Sequence, residues 1–228
     1  MIEEVWISSV RSNTALFNKL GIREKHYGLD WAPPKFELNP PSDDLLRRMW
    51  RVGSGKKIAR EEFVEAAYVF NNKHWMMVGD LFSVCGFFAV KGKFAELLQN
   101  FDLGGTELVE FPIYEADKTT RLPGPFYFLN FGTVKYTFVP GESRNVRPLL
   151  FDKDTGLQVW KAGITAEDGD ITVLESSLTG PDLWIEAQLH GKIFMSGRLH
   201  EAILDAKINI DFWFSKARIV GTNLEAGL

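Results

Sequence analysis

Cysteine is nearly absent from this chain. Cys85 stands alone among 228 residues, so no disulfide can form within the chain and a reducing compartment fits. Histidine is scarce as well. His26, His74, His190 and His200 form no zinc-ligand motif with one another or with Cys85. Long apolar runs are missing: the longest, Val84 to Val90, is far too short to span a bilayer. Glu3 and Glu4 stand where a secretory leader carries basic residues. No sign of charge dominates. Lys plus Arg is 26 and Asp plus Glu is 30, a net charge of −4, which argues against general nucleic-acid binding. No Gly-x-Ser-x-Gly elbow of a serine hydrolase occurs. Gly53-Ser54-Gly55-Lys56-Lys57 lacks the leading glycine of a phosphate loop, because Trp50 stands there, and Lys57 replaces the Ser or Thr that must follow.

What is present belongs to a globular protein. Apolar residues make up 45% and charged residues 25%, enough to bury a substantial core. Aromatics reach 13%, which favours a sheet-rich core with large side chains.

One stretch organises the rest. Asp182-Leu183-Trp184-Ile185 and Lys192-Ile193-Phe194-Met195 read as strands, joined through Leu189-His190-Gly191. Ser196 stands at a helix N-cap position, and Leu199, Ala202, Ile203 and Ala206 mark one helical face. His200 falls on the opposite, solvated face. Ile208, Ile210, Phe212 and Phe214 then alternate as in a half-buried strand, with Trp213 in the outward register. The same order occurs earlier. Asp80-Leu81 and the run Val84 to Val90 precede a helix with Phe94, Leu97, Leu98 and Phe101 on one face. Gly104-Gly105 ends it, and Val109, Phe111 and Ile113 alternate. At a shift of 105 residues Gly92 meets Gly197, Lys93 meets Arg198 and Glu96 meets Glu201, while Lys91 stands where the later copy has Ser196.

The closing order of apolar strand, Ser196-Gly-Arg-Leu-x-x-Ala-Ile helix and alternating strand carries a family resemblance. So do Phe94-Ala-Glu-Leu-Leu, Val109-Glu-Phe-Pro-Ile and Phe126-Tyr-Phe-Leu-Asn-Phe. Together, over residues 75 to 215, these resemble immunity protein family eleven of bacterial polymorphic toxin systems. The resemblance implies a cytoplasmic, non-catalytic protein without a cofactor, which binds and blocks a cognate toxin.

Elsewhere the spacing predicts an opening strand at Val5 and Ile7 and a short helix over 13–20. A proline-rich arm follows over 26–41, then a helix capped by Ser42. Phe63, Ala66, Ala67 and Phe70 predict a second helix over 61–70. Phe126 to Phe131 and Lys135 to Val139 read as strands paired across Gly132-Thr133. Leu149 to Phe151 and Gln158 to Lys161 flank the turn Asp152–Gly156, which mimics the start of a calcium loop but lacks its later ligands. Ile171 to Leu174 reads as a strand.

The expected architecture is α+β, a twisted, mostly antiparallel sheet with packed helices and two similar strand-helix-strand units. Residues 1–72 are expected as a dependent helical layer, 73–221 as the core and 222–228 as a tail. Glu142, Glu167, Asp168 and Asp170, in loops, are candidates for contact with a basic toxin surface, against the reading that they are merely solvated. Trp31 and Trp213 are candidate anchors, with packing as the competing reading. An enzyme assembled from Asp80, Asp182 and His190, and a small-ligand module, are the alternatives. A deep pocket holding several carboxylates or a histidine with polar partners would favour the enzyme, an enclosed apolar cavity the ligand module, and a shallow acidic or aromatic patch with no such pocket the immunity reading.

Overall fold

The computed structural model describes residues 3–17, 20–34, 41–153, 155–208 and 210–221. The expected tail over 222–228, part of the proline-rich arm (35–40), residues 18 and 19 of the first predicted helix, Asp154 and Asn209 lie outside the described residues. Strands β1 (Val5–Ser8) and β2 (Ile22–Lys25) precede helix α1 (Asp43–Gly53). Strand β3 (Ala66–Val69) and the one-turn helix α2 (Asn72–Trp75) lead to β4 (Leu81–Val84), β5 (Phe87–Lys91), helix α3 (Gly92–Leu98), β6 (Glu107–Glu110) and β7 (Ile113–Tyr114). Next come β8 (Phe126–Asn130), β9 (Val134–Lys135), β10 (Val146–Asp152), β11 (Leu157–Ala162) and β12 (Thr172–Leu174). The chain closes with β13 (Leu183–Glu186), β14 (Leu189–His190), β15 (Ile193–Ser196), helix α4 (Gly197–Asp205), β16 (Phe214–Lys216) and β17 (Arg218–Val220). The class is α+β, mostly sheet, as its sequence pattern predicts.

The two units match strand for strand. One sheet runs β4-β5-β8-β6; the other runs β13-β15-β1-β16, with β9 added in parallel beyond β13. Neighbours within each set of four are antiparallel. The registers agree. Lys91 faces Phe126 and Val90 faces Tyr127, as Ser196 faces Val5 and Met195 faces Trp6. Phe111 N donates to Phe126 O, as Ala217 N donates to Val5 O. Each sheet is followed by a parallel pair, β3 with β7 and β12 with β17, closing loops of equal length. Strand β2 lies antiparallel to β3, and Phe138 bridges Val173 in the same sense. The series β1 to β7 and β8 to β17 therefore follow one plan, with their first strands, β1 and β8, exchanged between the sheets.

Burial on both sheet faces explains the apolar runs. Leu183 and Ile185 face the larger core and Trp184 the smaller; Ile193 and Met195 likewise flank Phe194. A strand covered on both sides loses its polar alternation. In the larger core Phe128 stacks on Phe111 at 3.9 Å, and Phe94 of α3 meets Phe212 at 5.4 Å, within aromatic contact range.

The two helix starts solve one problem with different residues. Ser196 Oγ accepts from Leu199 N at 3.2 Å, an N-cap that satisfies a free backbone donor. Lys91 cannot do this, so the Asp80 carboxylate reaches across and accepts from Phe94 N at 3.3 Å. Asp182, the matching residue, accepts from Ser196 Oγ (2.6 Å), Arg198 Nε (2.5 Å) and Asp102 N (3.0 Å). Gly92 is left-handed (φ 51°), and a Cβ there would sit 3.0 Å from the Asp80 carboxylate.

Several expectations are corrected. The segment 61–70 is a 3₁₀ turn (Arg60–Glu62) followed by β3, not a helix. All four residues of β3 are buried, so no alternation betrays the strand, and the Arg60 guanidinium binds the carbonyls of Val64, Glu65 and Glu110, holding the turn open. Residues 1–72 are consequently not a helical layer, since they supply β1, β2 and β3. The predicted helix over 13–20 shows only the 3₁₀ turn Thr14–Leu16 in its described part. Strand β8 pairs with β5 and β6 rather than with 135–139, whose β9 part joins β13. Residues 210–213 form no strand. The carbonyls of Asp211, Phe212 and Trp213 are taken by Asn13 Nδ2, Ser8 Oγ and Ser9 N, and Trp213 is left-handed at φ 49°. His200 is buried, stacked on Trp6 at 3.7 Å, rather than solvated.

Burial raises the Asp182 pKa, but hydrogen bonds from Arg198, Ser196 and the Asp102 backbone outweigh it and hold the carboxyl below its usual value. Its stabilisation is therefore complete above that value and is lost as pH falls below about 4. Asp182→Ala is expected to lower stability by about 2–3 kcal/mol and Asp80→Ala by about 1 kcal/mol, read as shifts in the urea midpoint at pH 7. Asp182→Asn should also flatten the acid limb of the stability curve.

Candidate functional site

Helix α1 begins as its sequence requires, with Ser42 Oγ accepting from Leu45 N and Asp43 and Asp44 in the first turn. Its last turn carries Trp50, which is 41% exposed. The chain then reverses at Gly55 (φ 76°), where an added Cβ would meet Val134 at 2.4 Å; only glycine lets α1 end against β9. That placement lays Trp50 over His190, with ring centroids 4.2 Å apart and 17° between planes. His190 is fixed from below, because β14 pairs in parallel with β11, setting Lys161 opposite His190.

Around this stack lies a cleft of about 180 Å³, lined by Trp50, Tyr136, Asp152, Val159, Glu186 and His190 among others. Burial, then the positive charges of Arg11 and Lys161, push the His190 pKa down to about 4. At neutral pH the ring is an uncharged plate. Arg11 itself lies between the rings of Phe88 and Phe131, with Nε and Nη2 closed off from solvent. Glu186, one of the two carboxylates that line the cleft, is buried and engaged. It accepts from Thr137 N (2.9 Å), Phe138 N (3.2 Å), Trp184 Nε1 (3.0 Å) and the Thr137 hydroxyl.

The cleft opens beside the β10–β11 hairpin, whose existence the sequence predicts and whose pairing is antiparallel. Strand β10 is the edge of its three-stranded sheet. It exposes Leu149, Leu150 and Phe151, the last at 59%, and Tyr136 nearby is 63% exposed. A bulge between Pro148 and Leu150 interrupts the ladder, a device that blunts edges against indiscriminate pairing. An apolar edge strand joined to an aromatic cleft can grip an extended segment of another protein.

The predicted contact residues fall elsewhere. Glu142, Glu167, Asp168 and Asp170 do gather around β16 and β17, but most are engaged. Glu142 pairs with Arg218 at 2.7 Å. Asp168 accepts from Lys216 N at 2.7 Å. Asp170 is buried and accepts from Asn145 Nδ2 and Glu167 N, so it is a turn cap and is not open to a partner. Glu167 remains exposed. Trp213 stands apart, in a shallow groove beside α4, with its indole N–H donating to Asp211. Trp31 packs edge-on against Tyr68 and Tyr114. Asp80 caps α3, Asp182 holds the Ser196 cap and Arg198 of α4, and neither lines the cleft that holds His190, so the three do not form one centre. The Gly53–Lys57 turn cannot cradle phosphate through its first amides, since Ser54, Gly55 and Lys56 donate to carbonyls of α1.

Trp50, Tyr136 and Phe151 carried no sequence signal beyond their type, because their exposure is set by tertiary neighbours. The void lined by Phe94, Leu98, Phe131 and Met195 in the larger core holds only about 20 Å³, about one water's room and none for a ligand. No family model matches this chain, and no curated protein matches it.

Since the folded His190 titrates near 4 against its usual 6.5, the unfolded chain gains its proton first, and stability is lost as pH falls from 6.5 toward 4. An NMR titration of the imidazole is expected to show a midpoint near 4, and Lys161→Ala should raise it.

Proposed function

We propose that this chain is an immunity protein that neutralises a cognate bacterial toxin by binding it, without chemistry of its own. The observation that carries the reading is the exposed apolar edge of β10 beside the Trp50–His190 cleft and Tyr136. Exposed aromatics of this kind are enriched in interface hot spots. The resemblance of residues 75 to 215 to immunity family eleven gives the partner its class. The polar groups add weight: Glu186, Asp80, Asp182 and Asp170 each serve the fold.

In this reading a toxin segment lies along β10 and seats an apolar side chain in the cleft. The neutral imidazole of His190 lets that side chain be apolar, since no charge must be desolvated beneath it. Glu167 and Asp168, exposed near β16, steer a basic toxin without contributing much to affinity.

Co-expression with the toxin-domain protein encoded next to it is expected to relieve toxicity. Phe151→Ala and Tyr136→Ala should each weaken binding by about 2 kcal/mol or more, measured by calorimetry. Both should change folding stability by less than about 0.5 kcal/mol, because these side chains are exposed. Undiminished binding in the double variant would move the interface elsewhere, and turnover of a substrate by the purified chain would overturn the class.

A further inference from the structure

Two segments far apart in sequence meet at the end of β2. Glu24 and His26 flank Lys25 and so share one side of an extended chain. Cys85 stands at the tip of the β4–β5 hairpin, where Cys85 and Gly86 are both left-handed (φ 53° and 83°). Such a two-residue turn favours Asn or Asp before Gly, and a cysteine there brings a side chain the turn itself does not ask for. His26 Nε2 lies 3.7 Å from Cys85 Sγ, and one carboxylate oxygen of Glu24 completes a set within 4.8 Å of one another.

We propose that Glu24, His26 and Cys85 bind a divalent transition-metal cation of the zinc class. The spacing fits. With Zn–S near 2.3 Å and Zn–N near 2.0–2.1 Å, a tetrahedral centre sets sulfur and nitrogen about 3.6 Å apart. Thiolate and imidazole together select zinc-like ions over calcium or magnesium. On binding, the Cys85 thiol loses its proton to solvent and its sulfur coordinates the metal. The thiolate and the Glu24 carboxylate then balance the two charges of the cation, which suits a half-buried site. Without metal, burial and then the Glu24 charge push the Cys85 thiol up to about 12, and a cation between the two reverses that cost. Arg48, the nearby cation, is already held by Asp44 at 2.8 Å and by the Glu62 carbonyl. Three protein ligands leave a fourth position. Water or a partner's side chain can fill it, and His26 also borders a groove of about 400 Å³ with Tyr27, Leu45 and Phe63. Bound there, the metal ties the sheet of β2 to the hairpin of the neighbouring sheet.

The test uses the full chain without an affinity tag. Cobalt(II) added to the reduced protein is expected to give a thiolate-to-metal charge-transfer absorption that saturates at one equivalent. Zinc should displace it, bind at micromolar concentration or below by calorimetry, and raise the melting temperature. Cys85→Ser should abolish the absorption, and His26→Ala and Glu24→Gln should each weaken zinc binding at least about tenfold. Absence of the charge-transfer band in the unmutated protein overturns the proposal, and this needs no variant to fold. Zinc binding that is only millimolar, or unchanged by Cys85→Ser, overturns it equally. None of these outcomes touches the toxin-binding reading, whose residues lie on β10 and around His190.

Discussion

Strand β1 is the constraint on which the rest of the structure depends. Four residues from the start of the described chain lie between β15 and β16, bonded on both sides, in a sheet otherwise built from residues after 130. Without it that sheet would show two open edges in its middle, each with unpaired backbone groups facing an apolar core. Strand β8 does the same for the other sheet. Because each series gives its first strand to the other, neither unit is complete alone, and both helices press into one shared core.

The polar groups follow from that arrangement. Burying both faces of two sheets leaves helix ends and turn amides inside, and these must find acceptors. Asp80, Asp182, Asp170 and Glu186 are those acceptors, so residues that look reactive in a list are occupied in the fold. Lys192 shows the same for a cation. It is buried against Ser9 Oγ and the carbonyls of Gly163 and Ile164, and burial, then the Lys161 charge, lowers its pKa to about 8. Large apolar side chains nevertheless remain exposed on α1, at Leu46 and Trp50, and on β10, at Leu149, Leu150 and Phe151.

Local signals are legible where local physics decides. Ser42 and Ser196 are N-caps because a short hydroxyl reaches the third amide from its own position. The turn at 152–156 is a hairpin because Gly156 supplies a left-handed residue at its end. Such signals fade where burial is total or where polar partners are remote. Ala66–Val69 has no alternation to read, and Phe63 and Phe70 fell at helical spacing around it. His200 looked solvated because its cover, Trp6, comes from the exchanged strand. The acidic loops looked free because Arg218 and the Lys216 amide lie in a distant strand pair.

By itself the sequence determined the α+β class, the Ser42 and Ser196 caps, the β10–β11 hairpin and the recurrence of one strand-helix block, all set by forces acting within a few residues. Tertiary structure alone decided which strand completes which sheet, which carboxylates are engaged, and that Trp50 lies over His190 while Glu24, His26 and Cys85 converge. Those outcomes depend on contacts between segments tens to just over two hundred residues apart, and side-chain periodicity carries no information about partners at that range.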